Sequence, residues 1–382
     1  MTTTQSDVTA KAGYRVPFGT VSITNEARQL IDRILETKWV TKGKYVQEFE
    51  EGFARLFGTK YAVALSSGTD ADALALATLY DFGARRGDEV IVPALSFVAT
   101  GNAVLQAGFN QVFVDVQKET LNIDPAKIVA AIGPRTRAII AVDLYGQAYD
   151  HDAVAEIAGR HRLVVIEDAC QAIGAEYKGK PAGSLGDFGC FSLYATKNAI
   201  AGEGGILATN SAAADRSARA FRHHGMVAPY EYDGLGYNYR LTDIAAAIGC
   251  EQLKKLRRFC GARQNNARRL TEGLSEITGL VLPRAEEGRT HTFNQYTVRV
   301  TKEFGVNRDE LAERLKSAGI GSAIYYPKPL HVHAHLAADR YKIGDFPVAE
   351  QAAAEVLSLP VHPGLARDDV DKIVRAVKWA AS

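Results

Sequence analysis

Five short apolar runs, at residues 61–65, 89–92, 111–115, 137–143 and 163–166, alternate with stretches whose apolar residues recur at helical spacing. Runs of this length, with few polar interruptions, suit strands buried on both faces. Alternating with helices, they point to an α/β fold whose mostly parallel central sheet is covered on both sides. The helices read over residues 24–38, with Thr24 or Asn25 as cap, and over 45–57, 69–80, 97–105, 125–132 and 152–160. A longer amphipathic helix is expected over 242–259. A chain of 382 residues exceeds one compact core. The expected division gives an N-terminal segment and large domain over 1–258 and a smaller α+β domain over 259–382. In the latter, 291–300 and 321–326 read as strands, Asn307 and Glu310 open a helix, and further helices are expected at 346–357 and 368–381.

The chemistry concentrates between residues 163 and 207. The strand at 163–166 ends in Glu167 and Asp168, and a second apolar run at 188–194 is followed by one lysine, Lys197, in an uncharged segment before the glycine-rich turn at 202–205. Carboxylates at the carboxyl end of a buried strand lie where open α/β sheets bind ligands. Taken singly, Asp168 reads equally as the cap of a helix beginning at Ala169, and Lys197 as a solvated loop charge. Together they supply the two groups that pyridoxal phosphate (PLP) needs: a carboxylate for its pyridine nitrogen and a lysine able to form a Schiff base. Upstream, the strand at 61–65 runs through Ser66, Ser67, Gly68 and Thr69 into a helix, an arrangement that either receives a phosphate or simply caps the helix.

The motifs EDACQAIGA, GSLGDFGCFS, ATKN around Lys197, GEGG at Gly202, SSGTDA at Ser66, PALSFVAT at Pro93, DLYGQ at Asp143, HGM at His224 and GYNYRLTDIAAAIGCEQL at Gly236 cover nearly the whole chain. In combination they resemble the PLP-dependent nucleotide-sugar aminotransferases of the DegT/StrS type, fold-type I enzymes of the aspartate aminotransferase superfamily. The resemblance implies a homodimer with composite active sites and transfer of an amino group from glutamate to a nucleotide-linked keto sugar. It implies that Lys197 carries PLP and acts as acid and base, that Asp168 meets the pyridine nitrogen, and that Gln171 approaches the 3-hydroxyl. It also places Phe97 over the ring, Ser67, Gly68, Thr69 and Ser192 at the phosphate, and Asn238 at the phosphate of the partner's cofactor. Trp39, Tyr326 and His331 fall near the sugar nucleotide. One departure is Asp143, where the family often has histidine. GEGG, NYRLTDIAAAIG and the segment from Trp39 to Gly43 resemble the branch that aminates the 4-position of 4-keto-6-deoxy sugars. The alternatives are a 3-keto sugar, a keto cyclitol, a PLP-dependent deoxysugar dehydratase, in which histidine replaces the lysine, and a non-enzymatic regulatory relative.

Charge argues against other classes. Lys plus Arg (45) and Asp plus Glu (44) leave a net charge of +1, so no global field favours nucleic acid or an anionic membrane. The first dozen residues are polar and lack the apolar centre of a signal peptide, and no apolar stretch reaches a membrane-spanning length, so a cytoplasmic protein is expected. Four cysteines without paired spacing read as free thiols. His331, His333 and His335 alternate and would share a face if extended, yet no neighbouring carboxylate or cysteine cluster completes a set of metal ligands, and no metal is assigned.

Overall fold

A computed structural model describes residues 13–337 and 340–381; the polar first dozen, read above as lacking a signal sequence, lie outside the described residues. Helices α1 (Asn25–Thr37) and α2 (Lys44–Phe57) form where apolar residues recur every three or four positions. Thr24 caps α1 by accepting the Ala27 amide at 3.1 Å. On α2, Phe53 and Phe57 stack at 4.3 Å and both pack on Phe191.

Then follow β1 (Tyr61–Leu65), α3 (Gly68–Thr78), β2 (Glu89–Pro93), α4 (Val98–Gln106), β3 (Asn110–Val114), α5 (Pro125–Ala131), β4 (Thr136–Val142), α6 (His151–His161) and β5 (Val164–Asp168). After a short pair, β6 (Glu176–Tyr177) and β7 (Lys180–Pro181), come β8 (Phe188–Ser192) and β9 (Gly205–Thr209). Seven of these strands form one sheet in the order β1-β9-β8-β5-β4-β2-β3. Only β9 runs against the rest, pairing antiparallel with β1 and β8, while the other neighbours are parallel. The apolar runs are buried on both faces because helices cover each side, as a parallel sheet requires. Glu50 of α2 is buried between Arg219 (2.8 Å) and Arg222 (2.6 Å) of α7 (Ala212–Arg222), and it accepts the Ala64 amide of β1. This buried, fully partnered charge ties three elements together.

Beyond the hairpin β10 (Met226–Ala228) and β11 (Glu231–Tyr232), helix α8 (Asp243–Leu274) leads to a second core. There β12 (Leu280–Val281), β13 (Tyr296–Val300) and β14 (Val356–Leu359) form an antiparallel sheet. α9 (Arg308–Ser317) and α12 (Arg367–Ala381) pack into this second core, whereas α10 (Ala334–Ala337) and α11 (Pro347–Glu355) bury Leu336, Ala349 and Ala352 in the core of the large sheet. Asn307 caps α9, accepting the Glu310 amide at 2.9 Å.

Several sequence expectations need correction. No helix follows Asp168: the Ala169 amide is drawn to the Cys190 carbonyl of β8, and turns closing at Ala172 and Ala175 carry the chain away. α8 does not stop at Phe259, because Ala267, Leu270 and Leu274 continue its buried face into the second core. Residues 321–326 form no strand; only Ala323 pairs, with Ser358, before the chain turns towards the sheet edge. α11 ends at Glu355 and passes directly into β14, whose Leu357 pairs with Val298. His331, His333 and His335 do not line one face, since His331 lies in a 3-10 turn and His335 in α10.

Candidate active site

Because β1, β2, β4, β5 and β8 point the same way, the chain leaves the sheet at one edge after Leu65, Pro93, Val142, Asp168 and Ser192. Open α/β sheets bind ligands at such an edge. A cavity of about 410 Å³ opens there. Ser67, Gly68, Thr69 and Phe97 reach it from the first strands, Asp168, Gln171, Ser192 and Lys197 from β5, β8 and the turns beyond them, and Tyr326 from the second half of the chain.

Strand alternation turns the two acids at the end of β5 to opposite faces. Glu167 points away from the cavity and accepts the amides of Leu185 (2.9 Å) and Gly186 (3.2 Å). Its remaining oxygen meets Asp143, whose other oxygen accepts the Tyr149 amide at 2.9 Å. Burial and mutual repulsion push Asp143 well above the usual carboxylate range, and burial raises Glu167, so this buried pair retains a proton. Asp168 instead faces the cavity. Its Oδ2 accepts the Thr100 hydroxyl at 3.0 Å and its Oδ1 the Cys170 amide at 3.2 Å. The Ser96 hydroxyl, 2.8 Å from that of Thr100, completes a relay that fixes the carboxylate's orientation.

Lys197 stands in the turn after β8, its amide donating to the Tyr194 carbonyl at 2.9 Å. Although the residue as a whole is only partly buried, its amine is enclosed. Desolvation lowers its pKa below that of a free lysine, while Cys170 and Asp168 pull in the opposite direction. Gln171 is held at both ends of its amide: Oε1 accepts the Tyr145 amide at 3.0 Å and Nε2 donates to the Tyr326 hydroxyl at 3.2 Å. Tyr326 in turn lies 5.6 Å from Phe97, ring centre to ring centre.

At the far end of the cavity Ser67 caps α3, its hydroxyl accepting the Asp70 amide at 3.1 Å. The helix therefore presents its first amides, at Gly68 and Thr69, to the cavity. A Cβ on Gly68 would come within 2.7 Å of Ser192 Cβ and 2.8 Å of Cys170 Sγ, and one on Gly205 within 2.1 Å of the Ser67 carbonyl oxygen. These glycines let the start of α3 press against β8 and β9. An enclosed amine, an oriented carboxylate and a helix N-terminus open to an anion fit the aldehyde, ring nitrogen and phosphate of PLP.

The structure does not bring every candidate to this cavity. Asn238 is exposed and pairs through its backbone with His223. Trp39 is 61% exposed, its indole donating to the Lys42 carbonyl at 3.2 Å. His331 is buried against Phe346, with Nε2 3.1 Å from Glu350, and burial lowers its pKa. Conversely, sequence reasoning missed Thr100, Gln295, Tyr325 and Asp72, all on the cavity wall. Thr100 was within reach, in the first turn of the helix that Phe97 opens, and so was Asp72, a second acid two positions beyond Asp70 in an alanine- and leucine-rich helix. Gln295 and Tyr325 arrive by tertiary packing and carry no local signal.

Residues 21–378 match the model of the DegT/DnrJ/EryC1/StrS aminotransferase family. The chain is 41% identical to the Pleiotropic regulatory protein of Geobacillus stearothermophilus, covering 92% of this chain and 93% of that one. It is 37% identical to GDP-perosamine synthase of Caulobacter vibrioides (95% and 97%), and 40% identical to the UDP-N-acetyl-3-dehydro-alpha-D-glucosamine 3-aminotransferase of Acidithiobacillus ferrooxidans (91% and 92%). Among solved structures, S. venezuelae DesV superposes with a TM-score of 0.88 at 35% identity, covering 93% of this chain and 94% of that one. The E. coli GDP-4-keto-6-deoxy-D-mannose-3-dehydratase with bound hydrated PLP gives 0.87 at 28% identity (95% and 99%).

Proposed function

From the chain's place in the DegT/DnrJ/EryC1/StrS aminotransferase family, to which it belongs as a PLP-dependent sugar aminotransferase of fold type I, we propose its specific reaction: transfer of an amino group from glutamate to C4 of a nucleotide-linked 4-keto-6-deoxy sugar. The observation that carries the chemistry is the single cavity in which Lys197 and Asp168 meet the N-terminus of α3. The choice of the 4-position is supported by the GEGG, NYRLTDIAAAIG and Trp39 segments. A second reading, a 3-keto sugar, is favoured by the name of the 40% identical relative. A dehydratase reading is disfavoured by Lys197 itself, since that branch replaces it with histidine. We further propose a cytoplasmic homodimer in which Asn238 serves the phosphate of the partner's cofactor, and Trp39 and His331 the sugar-nucleotide side.

Bound in the cavity, PLP supplies an electron sink and a carrier for the amino group. The protein's contribution is position and protons. Gly68, Thr69, Ser67 and Ser192 hold the phosphate at the positive end of α3. Asp168, oriented by Thr100 and the Cys170 amide, keeps the proton on the ring nitrogen. Phe97 and Tyr326 wall off water, and Gln171 is fixed by Tyr145 and Tyr326 so that its amide presents one direction to the ring's edge. Lys197, whose lowered pKa makes the neutral amine more accessible, takes a proton from the donor carbon and returns one to the acceptor carbon. Regiochemistry then follows from which ketone the nucleotide anchor holds at attack distance.

The test is a panel of 3-keto and 4-keto nucleotide sugars and keto cyclitols offered to enzyme pretreated with glutamate, with the product read by mass and two-dimensional NMR. New nitrogen on C4 is expected. Nitrogen on C3, or turnover only with a nucleotide-free cyclitol, overturns the choice of substrate.

A further inference from the structure

Helix α3 carries two acids in an otherwise apolar and small-residue sequence, and only one has an evident place. Asp70 lies in the first turn and accepts the Ser66 hydroxyl at 2.6 Å. Asp72 lies deeper, 1% exposed, and its Oδ1 has no hydrogen-bond partner among the described residues. An oxygen of Asp72, an oxygen of Asp168 and the Cys170 sulfur all lie within 4.8 Å of one another, on the wall of the cofactor cavity. A buried carboxylate without a counter-ion, beside a second carboxylate, is far costlier than the neutral acid.

We propose that Asp72 is a neutral carboxylic acid that positions the charge of Asp168, the two carboxyls together holding one proton and one negative charge beneath the cofactor's ring nitrogen. The proposal rests on the reading of Asp168 as that nitrogen's partner. Burial, and then the charge of Asp168, push Asp72 well above the usual carboxylate range, against a smaller opposite effect from the Cys190 thiol. The titratable groups facing Asp72 are Asp168 at the end of β5, Cys170 in the turn beyond it and Cys190 on β8; α4 presents the neutral Thr100, and no charged group of α4, α7 or β9 shifts it. Both thiols are themselves held protonated, by burial and by these carboxyls. The O–H dipole of Asp72 stabilises the Asp168 anion, so a ring nitrogen paired with Asp168 gives up its proton more readily than it would without Asp72. Asp72 thus moderates the electron sink without touching substrate.

Three proteins decide the matter: wild type, Asp72→Asn, which keeps a neutral polar group that can donate, and Asp72→Leu, which does not. Difference infrared spectra of wild-type apoenzyme against Asp72→Asn should show a protonated-carboxyl C=O band at neutral pH that the variant lacks. In holoenzymes loaded with 15N-labelled PLP, the ring-nitrogen resonance of Asp72→Asn should follow wild type across pH. That of Asp72→Leu should keep its protonated position to a pH roughly one unit higher. A missing infrared band overturns the proposal, as does loss of the ring-nitrogen proton at a lower pH than wild type in Asp72→Asn, which would mark Asp72 as an anion. Should Asp72→Leu fail to fold, the infrared band and the match of Asp72→Asn to wild type still decide. Asp168→Asn is the control for the underlying reading. If its ring-nitrogen resonance is unchanged, the assignment of Asp168 falls and the proposal with it. If that resonance moves while the three Asp72 proteins remain identical, the proposal alone falls.

Discussion

Lys197 is the only lysine lining the cavity among the described residues, and its amine is enclosed with Asp168 and Cys170 nearby. Borohydride reduction of the holoenzyme should therefore place the pyridoxyl label on Lys197 in peptide maps, and Lys197→Ala should lose measurable turnover while remaining folded. A label on another lysine would refute the site. Glu167 and Asp168 differ by one position and should fail in different ways. Asp168→Ala removes the group oriented by Thr100 towards the cavity and should lower kcat by roughly a hundredfold or more. Glu167→Ala instead strands the Leu185 and Gly186 amides and should cost about 2 kcal/mol or more in stability, read by urea melts, with much smaller loss of kcat in the folded protein. Equal losses of turnover in both variants would make Asp168 a structural residue.

Most elements of the large sheet were legible because their strands are short apolar runs bounded by turn residues and helices such as α1 carry apolar periodicity and a cap, but β9 and α7, which follow the glycine-rich turn, were not read. β1 and the Ser67 cap of α3 fall where the residue pattern puts them. What escaped was decided by partners distant in sequence. The Ala169 amide belongs to Cys190 rather than to a helix, and the segment before Tyr326 pairs only once, with Ser358. Nine of the candidate residues meet at the cavity, eight of them because the motifs that carry them follow strands of one mostly parallel sheet, while Tyr326 arrives from the second half of the chain. Gln295 and Tyr325 come from beyond α8, and no local pattern announces them. The same long-range packing buries His291 beside the bridge to Gln147, its ring stacked on Phe293 at 4.0 Å and its Nδ1 accepting the Phe293 amide. Desolvation pushes this histidine down from 6.5 to about 3. The unfolded chain therefore binds the proton first as pH falls below 6.5, and stability is lost from there downward. The expected loss from this group is on the order of 3 kcal/mol between pH 6.5 and pH 4. Urea melts across that range should show a shallower slope for His291→Gln than for wild type; identical slopes would mean His291 titrates normally in the folded protein.

At the scale of the whole molecule, the proposed composite site turns on where Asn238 lies. Its cofactor cavity gathers the amine, the ring-nitrogen carboxylate and the helix N-terminus, but Asn238 lies outside it. Asn238 follows the hairpin of β10 and β11, where Tyr230 is 85%, Val227 60%, Tyr232 56% and Leu235 55% exposed. Large exposed apolar residues gathered on and just beyond one hairpin are the kind of surface that another subunit covers. We propose that in the homodimer each hairpin packs against the other chain, so that Asn238 serves its partner's phosphate site. Subunit mixing tests this directly. Lys197→Ala supplies an intact Asn238, and an Asn238→Ala chain supplies an intact Lys197, so a heterodimer of the two contains one complete site and one doubly defective site. With random exchange half of the dimers are mixed, and activity should return to about a quarter of wild type from two nearly inactive parents. Activity that stays at the parental level after mass spectrometry has shown exchange would place Asn238 in its own chain's site or in none.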